Sequence, residues 1–326
     1  MVGNTKIEFC RERLALIAPK RSRGKSAAFF LVNQLTIELD YKSLAKIKRL
    51  DVQAKIIACG FLQGMHRSSR QGFSKKFSEY RRYGPGDDLK LIDWKLYAKT
   101  DKYYVKKFEA EAAMTAYLIL DTSASMDYRS PASTSKYDYS ASLAAALAYL
   151  MIRQHDSVGL IAFSEKVQWC LPAKNSVKHF LDLSACLASL KPSGGTCFAE
   201  CINQIIGQLP KKCLIILFSD LLKLPSVVMN SLSGFRHAGH DVLLFHVLDR
   251  AELELPFEGI VEFEDPETGL KIAANTNHIR HRYKAEVSRF RQDVCHGCAQ
   301  HRIKCVSLTT DMPFDQALSM CLPSGI

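Results

Sequence analysis

Apolar and polar positions in the second two thirds of the chain follow two kinds of pattern. Short apolar runs bounded by polar residues are typical of buried strands, and longer stretches with apolar residues three or four apart are typical of helices. The strand-like runs are 114–120, 158–163, 167–171, 213–218, 242–247 and 303–308. The helix-like stretches are 138–154, 177–190, 198–209, 225–238 and 279–300. This alternation predicts an α/β fold with a doubly wound, mostly parallel sheet.

Two short connections predict hairpins. The runs 158–163 and 167–171 are joined by only three residues, which predicts an antiparallel pair, and a single antiparallel strand is compatible with such a sheet at its edge. A second, inserted hairpin is predicted at 257–275, with its turn at DPETG. The segment 252–267 contains seven Asp or Glu and no Lys or Arg. We expect this acidic hairpin to be solvated, or to offer a surface to a basic partner.

The first third of the chain has a different composition. Residues 1–113 contain 24 Lys and Arg against 12 Asp and Glu, whereas residues 114–326 contain 20 against 21, so the net charge of +11 belongs to the first third. Apolar residues three or four apart predict a helix between Leu44 and Phe61, and 102–112 is strand-like. We therefore divide the chain into a basic extension (1–33), a small basic α+β region (34–113) and the α/β domain (114–326).

Cysteine usage and hydropathy indicate a cytoplasmic protein. The eleven cysteines are odd in number and follow no spacing pattern, which favours free, buried thiols over a disulfide framework. No apolar stretch approaches the roughly 20 residues that a membrane helix needs. The N-terminus lacks the pattern of a signal peptide.

Oxygen-bearing side chains follow two of the predicted strands at the point where each strand ends. Asp121, Ser123 and Ser125 follow the run 114–120, Asp220 follows the run 213–218, and Thr196 lies in a Gly-rich loop. Ligands of doubly wound sheets bind at the carboxyl ends of the strands, so we expect the five side chains to converge. Mg²⁺ prefers six oxygen ligands and retains water readily. The sequence therefore predicts a site for Mg²⁺ or Mn²⁺.

Other kinds of chemistry fit these residues less well. Asp and Ser after a strand often only cap the next helix. Phosphatases of the aspartyl-phosphate type carry an Asp-x-Asp motif, and here Ser123 takes the place of the second Asp. A serine hydrolase would need a Gly-x-Ser-x-Gly elbow, which is absent from this sequence. Cys295 and Cys298, with His301, could suggest zinc, but no second such pair exists, so we expect core cysteines.

The order of the five site residues resembles the metal-ion-dependent adhesion site of von Willebrand factor type A domains. That site has Asp-x-Ser-x-Ser after the first strand, a Thr from a later loop and an Asp after the fourth strand. The segment EYRRYGPGDDLKLIDWKLYAKTDKYYVKKFEAE (79–111), running into LILDTSASM, is similar to the hallmark of bacterial "domain of unknown function 58" proteins. In these a short N-terminal region precedes a type A-like domain. Ala124 departs from the pattern, because many type A domains have Gly there.

The resemblance implies that Asp121, Ser123, Ser125, Thr196 and Asp220 hold Mg²⁺ with one position open for a partner's carboxylate. It implies a non-catalytic adaptor whose partner is a MoxR-type AAA+ ATPase, in a chaperone-like assembly or metal-insertion system. The chain has no phosphate-binding loop of its own. Two alternatives stay open: nucleic-acid binding through the basic first third, where aromatic residues are interleaved with Lys and Arg, and metal-dependent hydrolysis.

Overall fold

The structure is a computed structural model that describes residues 49–68, 77–84, 92–108, 113–131, 133–210, 212–223 and 225–321. The predicted extension 1–33 and the start of the helix predicted from Leu44 lie outside these ranges. The described elements before residue 113 are helix α1 (Leu50–Ser68), strand β1 (Phe77–Arg82), helix α2 (Trp94–Thr100) and strand β2 (Tyr104–Phe108). Strands β1 and β2 pair antiparallel.

Strands and helices alternate after residue 113. The strands are β3 (Thr115–Asp121), β4 (Ser157–Phe163), β5 (Val167–Lys174), β6 (Leu214–Ser219), β7 (Asp241–Leu248), β8 (Ile260–Glu264), β9 (Lys271–Asn275) and β10 (Lys304–Thr309). The helices are α3 (Lys136–Arg153), α4 (Val177–Ser189), α5 (Phe198–Gln208), α6 (Pro225–His237), α7 (Arg250–Glu254), α8 (Thr276–Gln300) and α9 (Phe314–Cys321).

The main sheet has the strand order β10-β7-β6-β3-β4-β5. Every neighbouring pair is parallel except β4 and β5, which are antiparallel at one edge. Strands covered on both faces are expected to be continuously apolar, and the sequence of β3, TAYLILD, is buried from its second residue onward. The predicted fold class, a doubly wound and mostly parallel sheet, is confirmed.

Helices bury both faces of this sheet. One apolar core joins it to α1, α3, α4 and α9, through residues such as Ala54, Leu143, Leu183 and Leu318. The other core joins it to α5, α6 and α8 through Ile202, Leu232 and Val294. Helix α1 therefore belongs to the layered body: the Ser142 hydroxyl of α3 donates a hydrogen bond to the Gln53 side chain of α1 at 3.0 Å.

Aromatic residues of the basic region contact one another. The rings of Tyr97 and Tyr103 are stacked with centroids 4.5 Å apart, and Trp94 and Tyr83 meet them edge-on. These rings pack against one another, so stacking on a nucleic-acid base is not needed to explain them, although Trp94 remains 59% exposed.

The described cysteines are free thiols, as predicted, but they are not uniformly buried. Cys186, Cys201, Cys213 and Cys298 are buried, whereas others such as Cys170 and Cys295 are exposed.

In the part of the chain that the structure describes, no helix combines the length and the apolar character needed to cross a membrane.

The close packing of β3 on β4 generates a prediction at Gly159. A Cβ atom added there would lie 2.5 Å from Cε1 of Tyr117 and 3.0 Å from the backbone oxygen of Leu171, so Gly159→Ala should destabilise the fold by about 1–3 kcal/mol through overpacking. Gly60→Ala is the control, because nothing lies within 4 Å of its added Cβ, and it should stabilise α1 by up to about 1 kcal/mol. Urea denaturation of the two variants checks this; equal midpoints would contradict the packing argument.

Candidate metal-binding site

Two neighbouring strands place the predicted carboxylates side by side. Asp121 is the last residue of β3 and Asp220 follows the last residue of β6, and these strands pair in parallel register. Both carboxylates are only 2% exposed. A small cleft at the strand ends is lined by Asp121, Thr196 and Asp220 of the predicted set, together with Phe198, Ser219, Leu221, Leu222, Lys223 and Glu267.

Backbone hydrogen bonds bring the Thr196 loop to the end of β3. The Ser193 N–H donates to the carbonyl oxygen of Thr122 at 2.9 Å, and the Ala124 N–H donates to the carbonyl oxygen of Gly194 at 2.9 Å. Gly194 has a φ of +75°, a left-handed conformation that glycine adopts without a steric penalty. The Gly-rich loop is therefore what allows Thr196 to approach the two Asp residues.

The two serines lie close together but do not line the cleft. Their hydroxyl oxygens are 3.0 Å apart, and both residues are buried. Ser123 precedes a 3-10 turn (Ala124–Asp127), yet its side chain makes no capping hydrogen bond to that turn. The cap of α3 is Ser135, which accepts from the Asp138 N–H at 3.0 Å. Helix capping therefore does not explain the hydroxyl of Ser123.

Asp121 is held in an environment that opposes its charge. Its carboxylate accepts hydrogen bonds from the Ser123 N–H at 3.0 Å and from the Ser219 hydroxyl at 2.7 Å. Burial and the nearby charge of Asp220 nevertheless raise the pKa of Asp121 to about 6. A cation between the two carboxylates would remove that repulsion, since an opposite charge favours the ionised form.

Sequence reasoning missed a buried lysine beside Asp220. The Lys136 ammonium group, which is 0% exposed, lies 2.7 Å from Asp220 Oδ2 and 2.7 Å from Glu252 Oε1. Burial alone would lower the pKa of Lys136, but the charges of Asp220 and Glu252 outweigh it and raise that pKa. Lys136 lies two residues before the start of the predicted helix (138–154), so the apolar periodicity gave no signal for its burial.

Glu252 comes from an element that the sequence did not predict. Helix α7 begins after Asp249 with a capping box, in which the Glu252 carboxylate accepts from the Asp249 N–H and the Asp249 carboxylate accepts from the backbone of α7. Glu252 shares its charge between this cap and Lys136. The helix N-terminus thus carries the carboxylate expected of it.

Thr196 is engaged by the acidic hairpin. Its hydroxyl donates to Glu267 Oε1 at 2.9 Å, and Glu267 Oε2 lies 3.3 Å from the Lys223 ammonium group. The expectation that the acidic hairpin is solvated is therefore wrong at Glu267, whose side chain is only 12% exposed. Its position at the turn of an inserted hairpin gave no periodic signal for this contact.

The donor set of the cleft fits a hard divalent cation. Three carboxylates, from Asp121, Asp220 and Glu267, line the cleft with one ammonium group, from Lys223. Lys136 also neutralises Asp220 but shares its charge with Glu252. The described residues contain no group of three or more His, Cys, Asp or Glu side chains arranged as a metal site, so the hydroxyls would have to supply ligands. Hydroxyl and carboxylate oxygens are ligands that Mg²⁺ and Mn²⁺ accept.

The alternative zinc residues are not arranged for zinc. Cys295 and Cys298 lie on α8, where Cys295 is exposed and Cys298 is buried against Met229. Within the described ranges these residues belong to no cluster that could hold a metal ion.

The nucleic-acid alternative rests on basic residues that lie mostly outside the described ranges.

The fold and the strand-end cluster define the class of protein. A doubly wound parallel sheet with one antiparallel edge strand, and with Asp, Ser and Thr side chains gathered where β3 and β6 end, is the architecture expected of a von Willebrand factor type A-like domain. The chain belongs to the family described as "protein of unknown function DUF58", whose model matches residues 79–293. The match covers more than half of the chain and confirms the family predicted from the sequence.

Individual proteins are similar to parts of this chain. The uncharacterized protein Mb1516 of Mycobacterium bovis is 28% identical over 235 residues, which are 71% of this chain and 73% of that protein. The structure of an aerotolerance-related membrane protein from Bacteroides fragilis has a TM-score of 0.43 at 17% identity, covering 64% of this chain and 97% of that one. The VWA domain of SpRpn10 has a TM-score of 0.38 at 10% identity, covering 64% and 94%.

The ion triad of Lys136, Asp220 and Glu252 should be structurally necessary. Lys136→Met removes the buried cation and leaves two carboxylates without it, so the free energy of unfolding should fall by about 3–5 kcal/mol. Adding Glu252→Gln should recover part of the loss, because one uncompensated charge is removed. Lys178→Met, on the exposed surface of α4, is the control and should change stability by less than about 0.5 kcal/mol. Urea denaturation measures the free energy of unfolding of all three variants. If Lys136→Met leaves it unchanged, the structural role of the triad is refuted.

Proposed function

We propose that this protein is a non-catalytic, metal-dependent adaptor that binds a protein partner through the strand-end cleft. The observation that carries the proposal is the convergence of Asp121, Asp220 and Thr196 on one cleft whose carboxylates outnumber its lysines. Buried carboxylates that repel each other are stabilised when a cation lies between them.

Each residue of the set has a role in the proposal. Asp121 and Asp220 supply negative charge, directly or through bound water, and Ser219 orients Asp121 through its hydrogen bond. Thr196 supplies a neutral hydroxyl oxygen from the lining of the cleft. In the proposal the hydroxyls of Ser123 and Ser125, which lie beside Asp121 but do not line the cleft, supply two more. A bound Mg²⁺ would provide a positive charge with room for one further oxygen ligand. Neutral hydroxyls leave that charge incompletely compensated, so an anionic oxygen from a partner is the favoured ligand.

The backbone next to Asp220 supports a functional role for this strand end. Leu221 has a φ of +54° and is buried, and non-glycine residues in this region carry a conformational cost on the order of 1 kcal/mol. The Leu221 N–H donates to the Ser219 hydroxyl at 3.0 Å, and that hydroxyl in turn donates to Asp121. The strained turn thus fixes Asp220 and Asp121 together, which is the preorganisation that a binding site requires.

The partner in the proposal is a MoxR-type AAA+ ATPase that presents an exposed Asp or Glu, as the family resemblance implies, and the complex forms in the cytoplasm. The ATPase hydrolyses the nucleotide, and this chain contributes the binding surface. The cleft then acts as a point of attachment between the ATPase and the rest of the assembly.

Metal binding is tested first. Mn²⁺ titrated into the wild-type protein should bind with measurable heat, and Asp121→Asn should lower the affinity by roughly 10-fold or more, since losing one ligating or supporting side chain costs on that order. Asp127→Asn is the matched control, because Asp127 is exposed on the 3-10 turn beside the cleft. Isothermal titration calorimetry provides the measurement. The metal proposal fails if wild type and Asp121→Asn give the same isotherm.

Complex formation with the ATPase is tested separately. Immobilised wild-type protein should retain the purified ATPase in Mg²⁺ and release it in excess chelator. Thr196→Ala should weaken retention more than it weakens Mn²⁺ binding, because Thr196 is the one residue of the set that is not buried. Asp127→Asn should not change retention. Retention that survives chelation and Asp121→Asn would place the interface elsewhere on the molecule.

A further inference from the structure

The turn of the acidic hairpin is built to present one side chain. Asp265 organises it: its carboxylate accepts from the Glu267 N–H at 2.9 Å and from the Thr268 hydroxyl at 2.6 Å. The Asp265 N–H donates to the Leu270 carbonyl, and Gly269 has a φ of +72°. These bonds lie within the turn itself, so its conformation does not depend on contacts with the main sheet.

Glu267 alone points from this turn towards the body of the protein. From Glu264 to Ala273 every residue except Glu267 is exposed. Its two carboxylate oxygens contact the Thr196 hydroxyl and the Lys223 ammonium group, and its side chain lines the same cleft as Asp121 and Asp220. A carboxylate placed among other carboxylates is unfavourable. Lys223 compensates Glu267, and Lys136 compensates Asp220 but shares its charge with Glu252, so the carboxylates of the cleft keep a net negative charge.

We propose that Glu267 is the protein's own carboxylate ligand for the cleft, at the position that a partner's Asp or Glu would take. The hairpin of β8 and β9 is then an internal ligand that a partner has to displace. This inference rests on the proposed function, because it assigns Glu267 to the same cation. It adds a residue that the five-residue site does not contain.

The structure gives two reasons for this assignment. Thr196 is the one residue of the set that is not buried, and its hydroxyl is already hydrogen-bonded to Glu267. Within the described residues the strands of the hairpin pair with each other and with no strand of the main sheet, so the hairpin can move away without breaking that sheet. An internal ligand on such an element competes with external carboxylates, because intramolecular binding carries a high effective concentration.

The test compares Glu267→Ala with Glu264→Ala, which removes an equal charge from the exposed end of β8, three residues away. Each protein is titrated with Mn²⁺ alone, and the relaxation rate of water protons caused by the bound Mn²⁺ is recorded. Glu267→Ala should raise the Kd of Mn²⁺ by roughly 10-fold, as loss of a ligating or supporting side chain does. Glu267→Ala should also raise the water-proton relaxation rate per bound Mn²⁺, because a water molecule takes the ligand position that Glu267 leaves. Glu264→Ala should match wild type in both.

The failures of the two proposals are distinguishable. If wild type does not bind Mn²⁺, the metal-dependent function and the role of Glu267 fall together. If wild type binds, Asp121→Asn does not, and Glu267→Ala matches Glu264→Ala in affinity and relaxation, the metal site stands and the internal ligand is refuted.

A measurement on the wild-type protein makes the test independent of any variant. Hydrogen exchange of the backbone amides between Asp265 and Leu270 should slow on addition of Mn²⁺, because the bound Glu267 holds the turn against the cleft. Exchange of β10, an edge strand of the main sheet that contributes no residue to the cleft, should not change and serves as the internal reference. Unchanged exchange in the turn at saturating Mn²⁺ would overturn the inference.

Discussion

The structure depends most on the burial of the Lys136 ammonium group between Asp220 and Glu252. A charge removed from water is tolerated only when opposite charges lie within hydrogen-bonding distance, and this requirement fixes three segments relative to one another: the start of α3, the end of β6 and helix α7. The requirement is strict because Lys136 also occupies the first turn of its helix, where the helix dipole disfavours a cation. The position of Asp220 in the cleft follows from it.

Around that fixed point the site divides into a rigid part and a separable part. Asp121, Ser123, Ser125 and Asp220 are buried at the ends of central strands, so their positions are set by the same packing that holds the sheet together. Glu267 reaches the cleft from an appended two-stranded sheet. The cleft therefore combines donors that cannot move without unfolding the core with one donor that can.

Most of the sheet and half of the site could be predicted from local patterns. Apolar runs such as β3 and β6 are visible in the sequence because buried strands exclude polar residues, and their shared carboxyl ends place Asp121 near Asp220. The contacts of Lys136 and Glu267 could not be predicted in this way. Both join residues that are distant in the sequence, 84 positions for Lys136 and Asp220 and 71 for Thr196 and Glu267, and charged residues are normally expected on the surface. Strand β1 was missed because its sequence, FSEYRR, is polar.

The self-contained turn around Asp265 also bears on how such proteins diversify. Because the hydrogen bonds of this turn are local, its residues can be exchanged and the turn can be lengthened or shortened. Neither change needs a compensating change in the sheet or in the helices that cover it. The strand-end residues have no such freedom, since each is packed into the core. Selectivity for one binding partner over another is therefore free to evolve at the hairpin tip, on a scaffold that stays constant.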